Sequence, residues 1–445
     1  VTGTINPTPI ADLIVDGALS VNDGYRAKNS ELGPSGFPFA RAQNINNGFH
    51  FEGADRFPLD ALDRVGNKIS EPGDVVFTSK GTVGRFALVR EDTPRFVYAP
   101  QLCFWRSHDH SRIDPRWLYY WMHSREFYVQ YKGVSGQTDM AEYVSLGDQR
   151  RMHITLPPLD DQRAIAAVLG SLDDKIEVNR RTARVLEGIA RTIFRSWFVD
   201  FDPVRGKQAA SAPAQPAALP DDLAALFPTR LTTSPLGEIP EGWEVGTLGE
   251  IVEAVGGGTP STAKSEYWDG GTHAFCTPKD MSGLSAPVLL RTERRVTDAG
   301  LAKINSGLLP SGTLVMSSRA PIGYLAITEI PVAVNQGIIA IPCTRGWPAS
   351  FVLRWCEAHM DQIEANANGS TFQEISKTNF RPIAAVLPDP AVVGAFDRLA
   401  APLHRRVVSC ERQSATLSAL RDTLLPKLIS GELPVPAAEA VVAAQ

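Results

Sequence analysis

One pattern constrains this chain more than any other: a loop-rich module followed by a long amphipathic helix occurs in its first half and again in its second. Pro72-Gly73-Asp74-Val75-Val76-Phe77-Thr78-Ser79-Lys80-Gly81-Thr82-Val83-Gly84 aligns with Pro310-Ser311-Gly312-Thr313-Leu314-Val315-Met316-Ser317-Ser318-Arg319-Ala320-Pro321-Ile322-Gly323 after a one-residue slip at the start. Lys80 and Gly84 then meet Arg319 and Gly323 at one common offset. Weaker matches keep the same order: Phe39 to Asn44 with Phe275 to Asp280, Gln101 with Gln336, and Ser135-Gly136-Gln137-Thr138 with Asn368-Gly369-Ser370-Thr371. A period this long marks a duplicated domain and helix, not a solenoid whose repeats run roughly 20 to 50 residues. Two similar halves imply two similar binding events.

At 445 residues, two or three domains are expected, and 43% hydrophobic with 21% charged residues is the balance of a globular protein. No apolar run approaches the roughly 18 residues of a membrane span. The first residues lack the basic and apolar regions of a secretion signal, so a cytoplasmic location and no membrane partner are expected. The five cysteines are scattered and never form Cys-x-x-Cys, which supports neither a disulfide framework nor a zinc ribbon. His108-Asp109-His110 near Cys103, and Cys356 three residues before His359, read better as ordinary residues than as metal ligands; no metal is expected. The net charge of −5 means that binding to nucleic acid must rest on local patches or on a basic partner, because phosphates are neutralised by Lys and Arg.

Short β-type runs at Asp74 to Thr78, Phe86 to Val89 and Leu102 to Trp105, with an aromatic helix from about Arg116 to Tyr131, give the first module an α/β, mixed α+β character. From Asp160 the period changes. Ile165, Leu169, Leu172, Ile176, Asn179, Ala183, Leu186, Ala190, Ile193 and Trp197 alternate spacings of four and three, a coiled-coil seam about 50 Å long. At the seam position of Asn179, a buried amide that fixes register and a solvated one are both open. A second stripe carries Phe396, Leu399, Leu403, Val407, Cys410, Leu417, Leu420, Leu424 and Leu428, with Pro426 expected to kink or end the helix about a turn before Gly431. The expected organisation is a module over 1–158, a helix over 159–202, a Pro/Ala-rich linker over 203–236, a second module over 237–388, a second helix over 389–433 and a flexible tail over 434–445. The helices are expected to pair as an antiparallel coiled coil separating two similar domains, with pseudo-two-fold symmetry.

Catalytic signatures are missing. There is no phosphate loop, Gly-x-Ser-x-Gly elbow, His-Glu-x-x-His or amino-methyltransferase Asn/Asp-Pro-Pro-Tyr/Phe segment. Gly256-Gly257-Gly258 reads as a tight turn before an anion nest. What remains is a pair of polar loops. Arg41, Gln43 and Asn44 are side-chain types that make bidentate bonds to guanine or adenine edges, and the matching loop offers Thr277, Lys279 and Asp280. Lys80 beside Ser79, and Arg319 beside Ser318, suit phosphate contact; Gln101 and Gln336 complete the set. For each, the alternative is a solvated loop residue.

Leu156-Pro157-Pro158-Leu159-Asp160-Asp161-Gln162-Arg163-Ala164-Ile165-Ala166, Leu424-Leu425-Pro426-Lys427-Leu428-Ile429-Ser430-Gly431-Glu432-Leu433, Ile239-Pro240-Glu241-Gly242-Trp243 and Gly258-Thr259-Pro260-Ser261 carry a resemblance. In their order and spacing the chain resembles the specificity subunit of type I restriction-modification systems, along nearly its whole length. The resemblance implies two target-recognition domains that each read half of an asymmetric bipartite site on double-stranded DNA. It implies no catalytic site and no cofactor on this chain. The partners implied are two copies of an adenine-N6 methyltransferase subunit using S-adenosylmethionine and a restriction and translocation subunit using ATP and Mg. Asp161-Gln162 stands where the family often has Glu-Gln, Ala391-Val392-Val393-Gly394 lacks that signature, and the first module lacks a Gly-Gly-Thr-Pro-Ser opening. A rod of this length implies half-sites separated by roughly 10 to 15 base pairs. The alternative from another class is a helical scaffold whose modules bind protein or glycan partners, natural at a pI of about 6.0. A methyltransferase in its own right is disfavoured by the missing segment.

Overall fold

The computed structural model describes residues 6–46, 48–135, 142–208, 219–369 and 373–443. The chain divides into two compact units, Val1–Lys175 with Thr416–Gln445, and Ile176–Ala415. The match of Ser135 to Thr138 with Asn368 to Thr371 falls partly outside the described residues, as does the most Pro/Ala-rich part of the linker.

In the first unit, strands Leu19–Asp23, Leu102–Ser107, Val75–Thr78 and Phe86–Leu88 form an antiparallel sheet in that order. A smaller sheet places Phe37–Ala40 between Arg56–Phe57, antiparallel, and Val97–Tyr98, parallel. Every residue of Val75–Thr78 and of Leu102–Ser107 is buried. Val75–Thr78 and the first four residues of Leu102–Ser107 read as continuous β-branched, aromatic and apolar runs because both faces are covered. The second unit repeats the plan. Val255–Gly256, Ile338–Ile341, Leu314–Ser318 and Ile322–Thr328 follow in the same order, and His273–Cys276 lies between Arg294–Val296 and Val332–Val334 with the same parallel and antiparallel senses. Val288–Leu289 adds a fifth strand to the larger sheet. The fold is mixed helix and sheet, as expected.

The aromatic segment is two helices, Pro115–Met122 and Arg125–Ser135, not one. Ser124 separates them, its hydroxyl accepting from the Phe127 amide at 3.3 Å and its carbonyl from the Tyr128 amide at 3.0 Å. The long helices are Leu159–Phe198 and Pro390–Ile429, 40 residues each. Gln162, at the start of the first, is 1% exposed. Its carbonyl accepts from the Asp114 amide at 3.0 Å and its amide donates to the Arg112 and Pro157 carbonyls at 2.9 Å, tying the helix to the module before it. The second helix has buried Val393 there and makes the junction by apolar packing.

In the second unit the helices run antiparallel. Asn179 donates to Gln413 at 3.0 Å and to Ser414 at 3.4 Å, Ala183 clusters with Val407 and Cys410, and the Phe194 ring lies 5.7 Å from Phe396. In the first unit Arg421 pairs with Asp173 at 2.7 Å, which the Tyr120 hydroxyl also reaches at 2.7 Å. Asn179 is 3% exposed, so of its two readings the buried amide holds. Ile165, Leu169, Leu172, Ile176, Trp197, Phe396, Leu417, Leu424 and Leu428 are buried, while Leu186, Ile193 and Leu403 are half-buried. Leu399 departs from the expected seam: it is 38% exposed, and Ala400, at 3%, takes its place. The spacing from Phe396 through Ala400 and Leu403 to Val407 keeps the four-three alternation that Leu399 breaks.

Three further expectations change. The second helix continues through Pro426 to Ile429; proline removes one backbone donor there, at the start of the last turn, and Gly431 at φ 73° follows the end. The expected flexible tail carries a helix, Val435–Ala443, with Ala438 buried. The expected linker contains helices Asp202–Gln208 and Asp221–Ala224 and a hairpin of Leu231–Ser234 with Gly237–Pro240. Val204 and Phe227 from it, with Phe201 just before it and Ile239 just after, join Trp197, Phe198 and Trp243 in the second unit's core.

One charged group is fully buried in the first module. Asp74, 0% exposed, accepts from Arg106 Nε at 2.6 Å, from Arg106 Nη2 at 2.8 Å and from the Tyr98 hydroxyl at 2.7 Å. Burial and that carboxylate push the Tyr98 phenol well above its ordinary pKa. Thr313 holds the matching place in the second module without a charge. Asp74→Ala leaves Arg106 without its buried partner and is expected to cost about 3–5 kcal/mol, read as a lower urea midpoint for the first unit; Asp74→Asn, which keeps hydrogen bonds, loses less.

Candidate nucleic-acid interface

Backbone hydrogen bonds build one loop frame twice. Phe39 and Ala40 pair with Val97 and Tyr98 as Phe275 and Cys276 pair with Ala333 and Val334. Beyond the strands, the Ala99 amide donates to Ala40 and the Leu102 amide to Ala99; the Asn335 amide donates to Cys276 and the Ile338 amide to Asn335. These equivalences correct the sequence match: Gln101 corresponds to Gly337, and Gln336 to Pro100. They also find the first module's counterpart of the glycine-rich segment. A Cβ on Gly24 would lie 2.2 Å from the Ala99 carbonyl oxygen, and one on Gly257 1.8 Å from that of Val334. Glycine is needed at both for close backbone approach, which replaces the reading of a tight turn.

The loop after Val75–Thr78 is held by a side-chain hydroxyl. Thr78 Oγ1 donates to the Thr82 carbonyl at 2.6 Å and accepts from the Arg85 amide at 2.9 Å; Ser317 Oγ donates to the Pro321 carbonyl at 2.8 Å and accepts from the Tyr324 amide at 2.8 Å. The next residue joins three loops in each module. The Ser79 amide donates to Gln101 and its carbonyl accepts from Val144; the Ser318 amide donates to Gly337 and its carbonyl accepts from Ile375.

Several expected readers belong to this frame instead. Ser79 and Ser318 are 1% and 2% exposed, so the expected phosphate contacts of their hydroxyls do not fit. Asn44 is 5% exposed; its Oδ1 accepts from the Arg41 amide at 2.8 Å and its amide donates to the His50 carbonyl at 2.9 Å, leaving no edge for a base. Asp280 takes the same place in the second module. It accepts from the Thr277 amide at 2.8 Å and hydroxyl at 2.7 Å, and from the Glu293 amide at 2.7 Å. Thr277 and Asp280 thus form a capping box at the head of a one-turn helix, Pro278–Met281. The side-chain oxygen of Gln101 is buried without a partner in the described structure.

The remaining candidates stand at the surface. Gln43 is exposed. Arg41 pairs with Asp55 at 2.5 Å and lies over the Phe39 ring. Lys80 is exposed, its ammonium 6.0 Å from the Tyr143 ring centre. Lys279 pairs with Glu293 at 2.8 Å, and that hydrogen-bonded carboxylate holds its pKa above the ordinary value. Arg319 pairs with Glu374 at 3.5 Å, and exposed Gln336 accepts from the Thr259 hydroxyl. Sequence reasoning missed Arg85, whose guanidinium bonds the Ala42 and Ile45 carbonyls at 3.3 and 3.2 Å, and also Tyr143 and Glu374. Arg85 follows the matched Gly84 directly and was within reach of the alignment; Tyr143 and Glu374 carry no sequence signal.

Other clusters are structural. His108 and His110 bond Ser20 Oγ and the Ser107 carbonyl, and His359 stacks on Trp355 and bonds its carbonyl. Among the described residues no group of three or more His, Cys, Asp or Glu side chains is arranged to hold a metal, and no helix is long and apolar enough to cross a membrane.

The sequence model of the family described as "Type I restriction modification DNA specificity domain" matches residues 19–187 and 240–391, both modules with the helix or helix start that follows each. The chain belongs to this family. It is similar to the HindI specificity subunit of Haemophilus influenzae, 23% identical over 406 residues that cover 82% of this chain and 88% of that one. It is 32% identical to the MjaIX specificity subunit of Methanocaldococcus jannaschii over 164 residues, 36% of this chain and 38% of that one. The type I restriction-modification S subunit of M. genitalium shares the fold, with a TM-score of 0.51 at 14% identity over 96% of this chain and 97% of that one. The two modules are therefore target-recognition domains by family.

Frame and surface residues of these domains separate by stability. Asn44→Ala and Asp280→Ala are expected to lower stability by about 1 kcal/mol through loss of the cap, visible as a lower thermal midpoint. Gln43→Ala is expected to leave the midpoint unchanged.

Proposed function

We propose that this chain is the non-catalytic DNA-specificity subunit of a type I restriction-modification complex, in which each target-recognition domain reads one half of an asymmetric bipartite site. The observation that carries this reading is that one frame occurs twice with different exposed side chains: Arg41, Gln43 and Lys80 in the first, Lys279, Arg319 and Gln336 in the second. An equivalent frame presents each domain to a duplex in the same way, while different side chains select different bases. Family membership supports DNA as the ligand.

In this reading the long helices set the distance between half-sites and dock two copies of an adenine methyltransferase subunit. A restriction and translocation subunit completes the complex. S-adenosylmethionine binds the methyltransferase, and ATP with Mg binds the restriction subunit; this chain binds none of them. A net charge of −5 fits a chain that shares its grip on the phosphates with basic partners.

Exchange of residues 10–158 for the first domain of another family member, in a complex with the methyltransferase subunit, is the test. The expected result is methylated DNA in which one half of the modified sequence changes and the other does not. Unchanged modification sites, or changes throughout the site, contradict the reading.

A further inference from the structure

We propose that Arg319 reads a guanine edge in the second half-site and that Glu374 is the positioning residue that sets its plane; this rests on the reading of the chain as a DNA-specificity subunit. Arg319 and Glu374 are joined twice, by an antiparallel backbone bridge and by an Nη1 to Oε2 contact of 3.5 Å. On its other side the guanidinium crosses Gly337. A Cβ at Gly337 would stand 3.4 Å from Arg319 Nε and 3.3 Å from Pro278 Cγ, so the guanidinium lies close over the Gly337 backbone and a longer side chain there would compete with it for the space. The Arg319 side chain is 40% exposed, leaving part of its donor fork open to solvent.

The first domain keeps the backbone bridge, Lys80 to Tyr143, and changes each side chain. Gln101 stands where Gly337 does, Lys80 replaces Arg319, and the Lys80 ammonium lies toward Tyr143 with no carboxylate pair among the described residues. A free ammonium is a point charge suited to a phosphate. A guanidinium whose charge is partly answered by a carboxylate is a weaker phosphate ligand. With its plane held between Glu374 and Gly337, it is a better bidentate donor to guanine O6 and N7. The same loop thus anchors the backbone in one domain and reads a base in the other.

The full chain, assembled with its methyltransferase subunit, is offered a library of duplexes and the methylated products are sequenced. Wild type is expected to require guanine at one position of one half-site. Arg319→Lys keeps the charge and is expected to weaken that requirement about tenfold to a hundredfold, with the other half-site unchanged. Glu374→Gln relaxes the same position by less, and carries the test by itself if Arg319→Lys lowers the thermal midpoint. Lys80→Ala is expected to lower methylation evenly across sequences. Variants at 319 and 374 that lower methylation evenly, with base preference intact, overturn the proposal and leave the specificity reading standing. A wild-type complex without sequence preference overturns that reading instead.

Discussion

The pairing of two 40-residue helices is the constraint on which the other features depend. Its seam is largely apolar and includes a buried amide layer, where Asn179 is buried against Gln413 and Ser414. An apolar seam tolerates a shift by one heptad, because each leucine finds another hole; a buried amide does not, because a shift leaves its hydrogen bonds unmade. Register then fixes which side chains meet where each module packs. In the first unit Asp173 is presented to Tyr120 and Arg421. In the second, Glu187 is presented to Arg354 at 2.6 Å with both nearly buried, while burial pushes Glu187 above the ordinary carboxylate pKa despite the arginine. Tyr120 and Arg354 sit at matching places on matching helices, each followed by a tryptophan, Trp121 and Trp355. The duplication kept the helix and changed the contact by which it docks.

The same division runs through the recognition domains. Backbone pairing and a few hydrogen-bonded side chains, Thr78 with Ser317 and Asn44 with Asp280, hold the loops in one shape. The residues between them vary, since an exposed side chain costs little to change. A frame whose hydrogen bonds are internal leaves its surface free for base selection. Under the proposed function, two domains of one chain share a fold in this way and differ in what they bind.

Much of this was legible in the sequence, and the parts that were not share a physical cause. The seam was visible because helical burial repeats with a fixed period, and the buried strands because both of their faces are apolar. Leu399 misled because a leucine one position off the seam is as apolar as one on it; Ala400 wins because heptad geometry, not hydrophobicity, assigns the position. Matching Gln101 to Gln336 relied on identity, whereas the true equivalence with Gly337 is written in backbone hydrogen bonds that no side chain reveals. Asn44 and Asp280 had the polarity of base readers and the spacing of caps. Their hydrogen bonds decided between the two, with burial added for Asn44, and both depend on how the loop is folded. Glu374 has no local signal, because its role comes from a bridge to Arg319 across 55 residues.

The most direct test of the central claim, two different readers on one repeated frame, is to map every methylated adenine in DNA modified by the complex of this chain with its methyltransferase subunit. The expected result is a two-part sequence whose halves differ and are separated by unspecified bases, about one helical turn between half-site centres or somewhat more. A single uninterrupted motif, a site with two identical halves, or methylation without sequence preference would contradict it.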